Sequence, residues 1–91
     1  MIEVNNNKYE IIKNYKDAFN QEEFTNLYTE YFEEYDYVVG DIAYNKLRLK
    51  GFYDENNKKV SSINNIANLN EYLKNNCAND CRYFVAKKIK E

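Results

Sequence analysis

The sequence predicts an α+β domain: an antiparallel or mixed sheet with two helices packed on one face, in the order β-β-α-β-β-(β)-α-β. Three observations predict it. Phe24, Leu27, Tyr28, Tyr31, Phe32 and Tyr35 recur at i, i+3, i+4, i+7, i+8 and i+11, the spacing of one helical stripe. Lys46, Leu47, Arg48, Leu49 and Lys50 alternate with period two, the mark of a half-buried strand. The short β-type runs IEV and YEII flank Asn5-Asn6-Asn7, and asparagine tolerates the positive φ of tight hairpin loops.

The elements follow in order. An N-terminal hairpin over residues 2–5 and 8–13 leads through the aperiodic stretch NYKDAFN to a helix over 21–35. Asn20 followed by Glu23 has capping-box spacing, and Glu22 and Glu23 suit the positive end of the helix dipole. Val38, Val39 and Ile42 have strand character, with Gly40 marking a bulge or a close backbone approach. A turn near Ala43 to Asn45 returns the chain into the alternating strand, which turns Leu47 and Leu49 to one side and three cations to the other. DENNKK reads as a polar turn and VSSI as a short edge strand. Asn68 with Glu71 repeats the cap spacing before a second helix over 69–77, lined by Leu69, Tyr72, Leu73 and Cys77. RYFVAKKIK is rich in β-branched and aromatic residues and closes the sheet as a last strand.

Composition bounds what such a domain can do. Ninety-one residues make one domain, residues 1–91, and 44% hydrophobic residues with ten Tyr and five Phe supply a core. No apolar run reaches the length of a membrane span, and no secretory leader is recognisable, so the chain is expected in the cytoplasm. In that compartment two cysteines are expected as reduced thiols. The chain has no His, which removes Ser/His and Cys/His nucleophilic catalysis. The net charge of −2 hides an asymmetry: residues 1–45 hold ten acids against three bases, and residues 46–91 ten bases against five acids. Such halves either neutralise each other on packing or present a dipolar surface to a charged partner.

Three constellations could carry chemistry. By strand parity Tyr44, Lys46, Arg48, Lys50 and Phe52 share one face, with Asp41 across the hairpin, and aromatics flanked by cations on a sheet are one way single-stranded RNA is held. The bland counterpart is a solvated face whose cations pair with nearby acids, and a pI near 5.2 argues against a dedicated nucleic-acid binder. Cys77 and Cys81, one helical turn apart, could bridge or share a metal, although zinc needs four ligands and no His is present to complete the set. Their bland reading is two small buried hydrophobes. Asp36 and Asp41 with Glu33 or Glu34 could bind Mg²⁺ only if the fold made them converge, which spacing does not establish.

The stretch YDYVVGDIAYNKLRLKGFY, with KYEIIKNYKDAFN upstream and LNEYLKNNCANDCRYFVAKKI downstream, resembles the YutD-like family of small Firmicutes proteins. The likeness spans nearly the whole chain in order and is most specific in YDYVVGD, YNKLRLKGF and the Cys-x-x-x-Cys followed by YFV. It implies a compact α+β domain and no agreed activity. Together these observations predict a non-catalytic binding protein with no cofactor. It engages a protein, a ribonucleoprotein or RNA through Asp41, Tyr44, Lys46, Arg48, Lys50 and Phe52, the alternative being a metal- or redox-responsive module built on Cys77 and Cys81.

Overall fold

The computed structural model describes residues 1–76 and 81–90. Its five strands are β1 (Ile2–Val4), β2 (Asn7–Tyr15), β3 (Tyr37–Ala43), β4 (Lys46–Phe52) and β5 (Tyr83–Lys88). They form one sheet in the order β1-β2-β5-β3-β4, and every neighbouring pair is antiparallel. The predicted N-terminal hairpin is present. Its two-residue loop is Asn5-Asn6, with φ of 49° and 66°, the left-handed pair that a tight hairpin needs. Among the described residues no helix is long and apolar enough to cross a membrane.

The first helix is shorter than its stripe. Asn20 caps α1 (Gln21–Leu27) as expected, its Oδ1 accepting from the Glu23 amide at 3.0 Å. The chain then turns extended at Tyr28 and Thr29 and re-forms as a 3₁₀ turn over Glu30–Glu34, so one helix over 21–35 is not what forms. Thr29 and the aromatics beside it are weak helix formers. A straight helix from 24 to 35 would also be a rod about 17 Å long. Breaking it lets Phe24, Tyr28 and Phe32 enter the core while Leu27 and Tyr31 stay 45% and 61% exposed. Tyr28 seats edge-on against Tyr9, the two hydroxyls bonding each other at 2.6 Å inside the core.

Adjacent residues of the central strands enter different cores. Val38, Phe84 and Ala86 pack with Val4, Tyr9 and the three aromatics of α1 and the 3₁₀ turn. Val39, Val85 and Phe52 pack instead against Ile66, Leu69 and Tyr72. Successive strand residues point to opposite faces, so α2 (Leu69–Asn76) covers the face opposite to α1. The expected placement of both helices on one face is therefore corrected, while the α+β class and the antiparallel sheet stand.

Two local expectations also change. VSSI is not a strand: Asn64 Oδ1 accepts from the Ser61 amide, the segment turns, and Ile63 is left 75% exposed. Asparagine competes for main-chain groups in this way wherever a ladder is not already closed. The cap of the second helix is Asn65, whose Oδ1 accepts from Ala67 at the head of a 3₁₀ turn (Ile66–Asn68) that runs into α2. Asn68 instead donates to the Ser62 carbonyl. Cys77, the last residue of the expected helix, lies outside the described residues.

Gly40 is the close approach that the sequence allowed, without a bulge, since β3 pairs with β4 and β5 in unbroken register. A Cβ there would stand 2.2 Å from Phe84 Cε2, a ring with no exposed surface. At Gly51 a Cβ would stand 2.3 Å from Tyr35 Cδ2, but Tyr35 ends a short 3₁₀ turn and is only half-buried. Urea unfolding should therefore rank the two sites. Gly40→Ala is expected to cost roughly 3 kcal/mol and Gly51→Ala roughly 1 kcal/mol, because only the second ring has somewhere to go.

Candidate functional site

The β3–β4 hairpin carries all six residues predicted for a partner surface, but in two different settings. Ala43 pairs with Lys46, which leaves Tyr44 and Asn45 as a two-residue loop with φ of 53° and 63°. Asparagine is suited to that conformation, whereas for a bulky side chain such as Tyr44 it is an outlier that costs about 1 kcal/mol. Tyr44 is also 98% exposed. Lys46 is exposed beside it, so the tip of the hairpin is open.

The rest of the face is not bare. Phe52 is 1% exposed and meets the Tyr72 ring edge-on at 5.4 Å, and Lys50 Nζ lies 5.2 Å and 5.7 Å from those two ring centres. Asp41 is 1% exposed. Its Oδ1 accepts from Arg48 Nε at 2.8 Å and its Oδ2 from the Tyr72 hydroxyl at 3.2 Å. Arg48 then donates through Nη2 to the Asn76 carbonyl at 2.8 Å, near the end of α2. Burial, followed by the charge of Asp41, pushes the Tyr72 hydroxyl up, so it remains a proton donor to that carboxylate. Asp41, Arg48, Lys50 and Phe52 are thus the seat of α2. The expected open row of five residues contracts to Tyr44, Lys46 and the outer side of Arg48.

Cys81 is disulfide-bonded, which corrects the expectation of reduced thiols. The second member of the predicted pair, Cys77, lies outside the described residues. Cys81 Sγ sits 3.6 Å from the Ile42 carbonyl oxygen, and the Ile42 amide donates to the Arg82 carbonyl at 3.0 Å. A sulfur held in a disulfide is not the thiolate that a metal site requires.

The carboxylates considered for catalysis are kept apart. Five strand positions separate Asp36 from Asp41, about 17 Å along β3, and among the described residues no three acids or cysteines converge to hold a metal. Asp36 has a different role that its spacing did not reveal. Its Oδ2 accepts from the Asp54 amide at 2.8 Å and from Asn57 Nδ2 at 2.9 Å, and its Oδ1 pairs with Lys90 at 2.5 Å. Nearby, Glu34 accepts from Tyr53 and Lys59, and the Lys88 ammonium donates to the Glu33 carbonyl. A cleft of about 550 Å³ lies over this cluster. Its signal in the sequence was the polar turn DENNKK, whose Asp54 and Asn57 supply two of the three donors.

Comparison with known proteins places the chain among relatives. The profile of a family described as "Putative antitoxin YutD-like" matches residues 3–87. A protein of Bacillus subtilis (strain 168) named "Putative antitoxin YutD" is 43% identical over 91 residues, covering all of both chains. The solution NMR structure of the B. subtilis YutD protein superposes with a TM-score of 0.84, covering all of this chain and 83% of that one.

Asp36 makes this region sensitive to acid. Burial opposes its ionisation, but the bonds from Lys90, the Asp54 amide and Asn57 outweigh burial and hold the carboxyl below its ordinary value of 3.8. A depressed carboxyl stabilises the fold in full above its unfolded pKa, and that stability is lost as pH falls through the folded one. The urea midpoint of the parent should accordingly fall between about pH 5 and about pH 2. Asp36→Asn should be weaker at neutral pH and show a flatter decline across that window; an equal slope in both would dissociate Asp36 from the acid sensitivity.

Proposed function

Because the chain belongs to the YutD-like family, we propose that it is a non-catalytic, antitoxin-like binding protein of the cytoplasm that engages a protein partner through the tip of its β3–β4 hairpin. The observation that carries this reading is Tyr44. A fully exposed aromatic in a left-handed loop position serves neither the core nor the turn, and Asn or Gly would be less costly there. Strain held at an exposed position is more readily understood as a binding feature than as packing. Tyrosine is also the type of side chain that anchors protein interfaces, with large area and few rotors. The name of the B. subtilis relative, "Putative antitoxin YutD", fits a protein that works by occupying a partner.

An RNA-stacking platform has less support, because Phe52 lies beneath α2 and Lys50 is engaged with two rings. A redox role has one observation in its favour. Disulfides in cytoplasmic proteins are usually transient and redox-sensing, and Cys81 touches Ile42, two residues before Tyr44. Reduction would then be felt beside the hairpin tip.

Tyr44→Asn separates function from folding, since it removes the anchor while relieving the backbone. Its stability should match or exceed that of the parent by up to about 1 kcal/mol, and capture of the partner by tagged protein in the native host should be lost. Undiminished capture would remove the hairpin tip from the interface. Arg48→Glu is a poor substitute, because it sets a second acid against the buried Asp41. If the redox reading holds, Cys81→Ser and treatment with dithiothreitol should weaken capture alike; if neither does, the cysteine is structural.

A further inference from the structure

Among the described residues, the hydrogen-bond parity of the sheet leaves one long edge without a partner strand. The Ile42 amide donates to Arg82 and the Lys88 amide to Asp36, so even-numbered residues of β3 turn their main chain toward β5. Odd-numbered residues therefore face β4, and their partners Lys46, Arg48, Lys50 and Phe52 use up their own amides and carbonyls on β3. The main-chain groups of Leu47 and Leu49 point outward, and no described residue bonds to them. Gly51 is buried beneath Tyr35, so the open edge runs from Lys46 to Lys50. The opposite edge, β1, is only three residues long.

We propose that β4 is a docking edge that takes an extended segment of a protein partner as a sixth strand, with acidic and apolar residues alternating in that segment. The proposal rests on the binding reading above and specifies its chemistry. Unpaired edge groups are the usual template for strand addition, in which main-chain bonds supply affinity and alternate side chains supply specificity. Side chains of an added strand would fall alternately beside Lys46, Arg48 and Lys50 on one face and beside Leu47 and Leu49 on the other. In the first set Lys46 and the outer side of Arg48 call for carboxylates, Lys50 being engaged by the Phe52 and Tyr72 rings, and the second set calls for apolar groups. Exposed apolar surface flanks the edge on both sides. Ile63 lies in a cleft of about 460 Å³ shared with Lys50 and Phe52, and Tyr31 meets Tyr35, the ring that covers Gly51, at 5.4 Å with the two rings tilted.

A second copy of the chain is disfavoured as the occupant. Pairing β4 with itself would align three cations with three cations on one face, and directly opposed like charges weaken a ladder. RNA offers no strand of alternating donors and acceptors to match Leu47 and Leu49.

The test uses the whole chain with two seven-residue probe peptides, one alternating glutamate with valine and one alternating lysine with valine. With the glutamate peptide, hydrogen exchange at the Leu47 and Leu49 amides should slow at least roughly tenfold, the effect of a new main-chain bond. The Arg48 and Lys50 amides, already bonded to β3, should not change, and the lysine peptide should have no effect. Leu49→Pro removes one outward donor where an edge strand tolerates proline. It should weaken binding of the glutamate peptide roughly tenfold relative to Leu49→Ala, which loses the same packing but keeps the amide. If Leu49→Pro does not fold, the exchange pattern of the parent decides. The proposal is overturned if neither amide is protected at millimolar peptide, if both peptides act alike, or if protection grows with protein concentration alone, which would make the occupant a second copy. Failure here alongside Tyr44-dependent capture refutes strand addition and leaves the binding function standing; loss of the Tyr44 dependence refutes the reading beneath it.

Discussion

The middle strands β3 and β5 must bury both of their faces, and the rest of the molecule is arranged around that constraint. Val38 and Val39 have no exposed surface, and Phe84, Val85 and Ala86 are 3% exposed or less. A strand that is apolar on successive residues cannot leave either side to water, at roughly 1.5–3 kcal/mol for each large side chain left uncovered. One face receives the aromatics of α1 and the 3₁₀ turn that follows it. The other receives α2, and that requirement draws Asp41 into the second layer. A carboxylate with 1% exposure is tolerable only because Arg48 and Tyr72 bond both of its oxygens; alone, it would cost several kcal/mol. The ion pair is therefore a consequence of covering the sheet, and it fixes where α2 sits.

The charge layout follows from the same packing. Asp36 with Lys90, Asp41 with Arg48, and Glu34 with Lys59 each join an acid of residues 1–45 to a base of residues 46–91. The two halves of the chain are opposite in charge because they are neighbours in space. The Glu34–Lys59 pair is exposed on both sides and adds little. The two aspartates are buried, and their partners carry real weight. Self-neutralisation thus takes up Arg48, the cation most central to the expected basic face, and leaves Lys46 at its open end.

Strand parity was legible within β4, though not at Tyr44, which the same parity put on the basic face and which lies in the hairpin loop. Leu47 and Leu49 do pack toward α1, and Lys46, Arg48, Lys50 and Phe52 do share the other face. Illegible was what lies on that second face, because period two says which residues are together and nothing about what covers them. The clue was present in Val38-Val39 and Phe84-Val85-Ala86, consecutive apolar pairs that belong to doubly buried strands rather than half-buried ones. The helix break at Tyr28 escaped because a periodic stripe fits equally a helix and two short pieces that keep one line of contact. Asp36 escaped because its partners Asp54 and Asn57 come from one turn and Lys90 from the residues that follow β5, a convergence that only the tertiary fold creates.

What remains outside this self-satisfied interior defines how a domain of this size can bind at all. With the inner faces of α1 and α2 both committed to covering the sheet, the unpaired main-chain groups along β4 lie in one line with the hairpin tip. The main chain of Leu47 and Leu49 and the Lys46 side chain run on from Tyr44 at the hairpin tip. An edge of five residues spans about 17 Å and offers few hydrogen bonds, which taken alone belongs with weak, transient interfaces. A rigid aromatic at one end changes that balance, because a single well-buried tyrosine can contribute as much as the ladder beside it. The strained loop holds Tyr44 at the mouth of the edge, where a strand docking on β4 would have to pass it. On the proposed reading the ladder supplies register, Lys46 and the outer side of Arg48 favour an acidic segment, and Tyr44 supplies the affinity that so short an edge lacks.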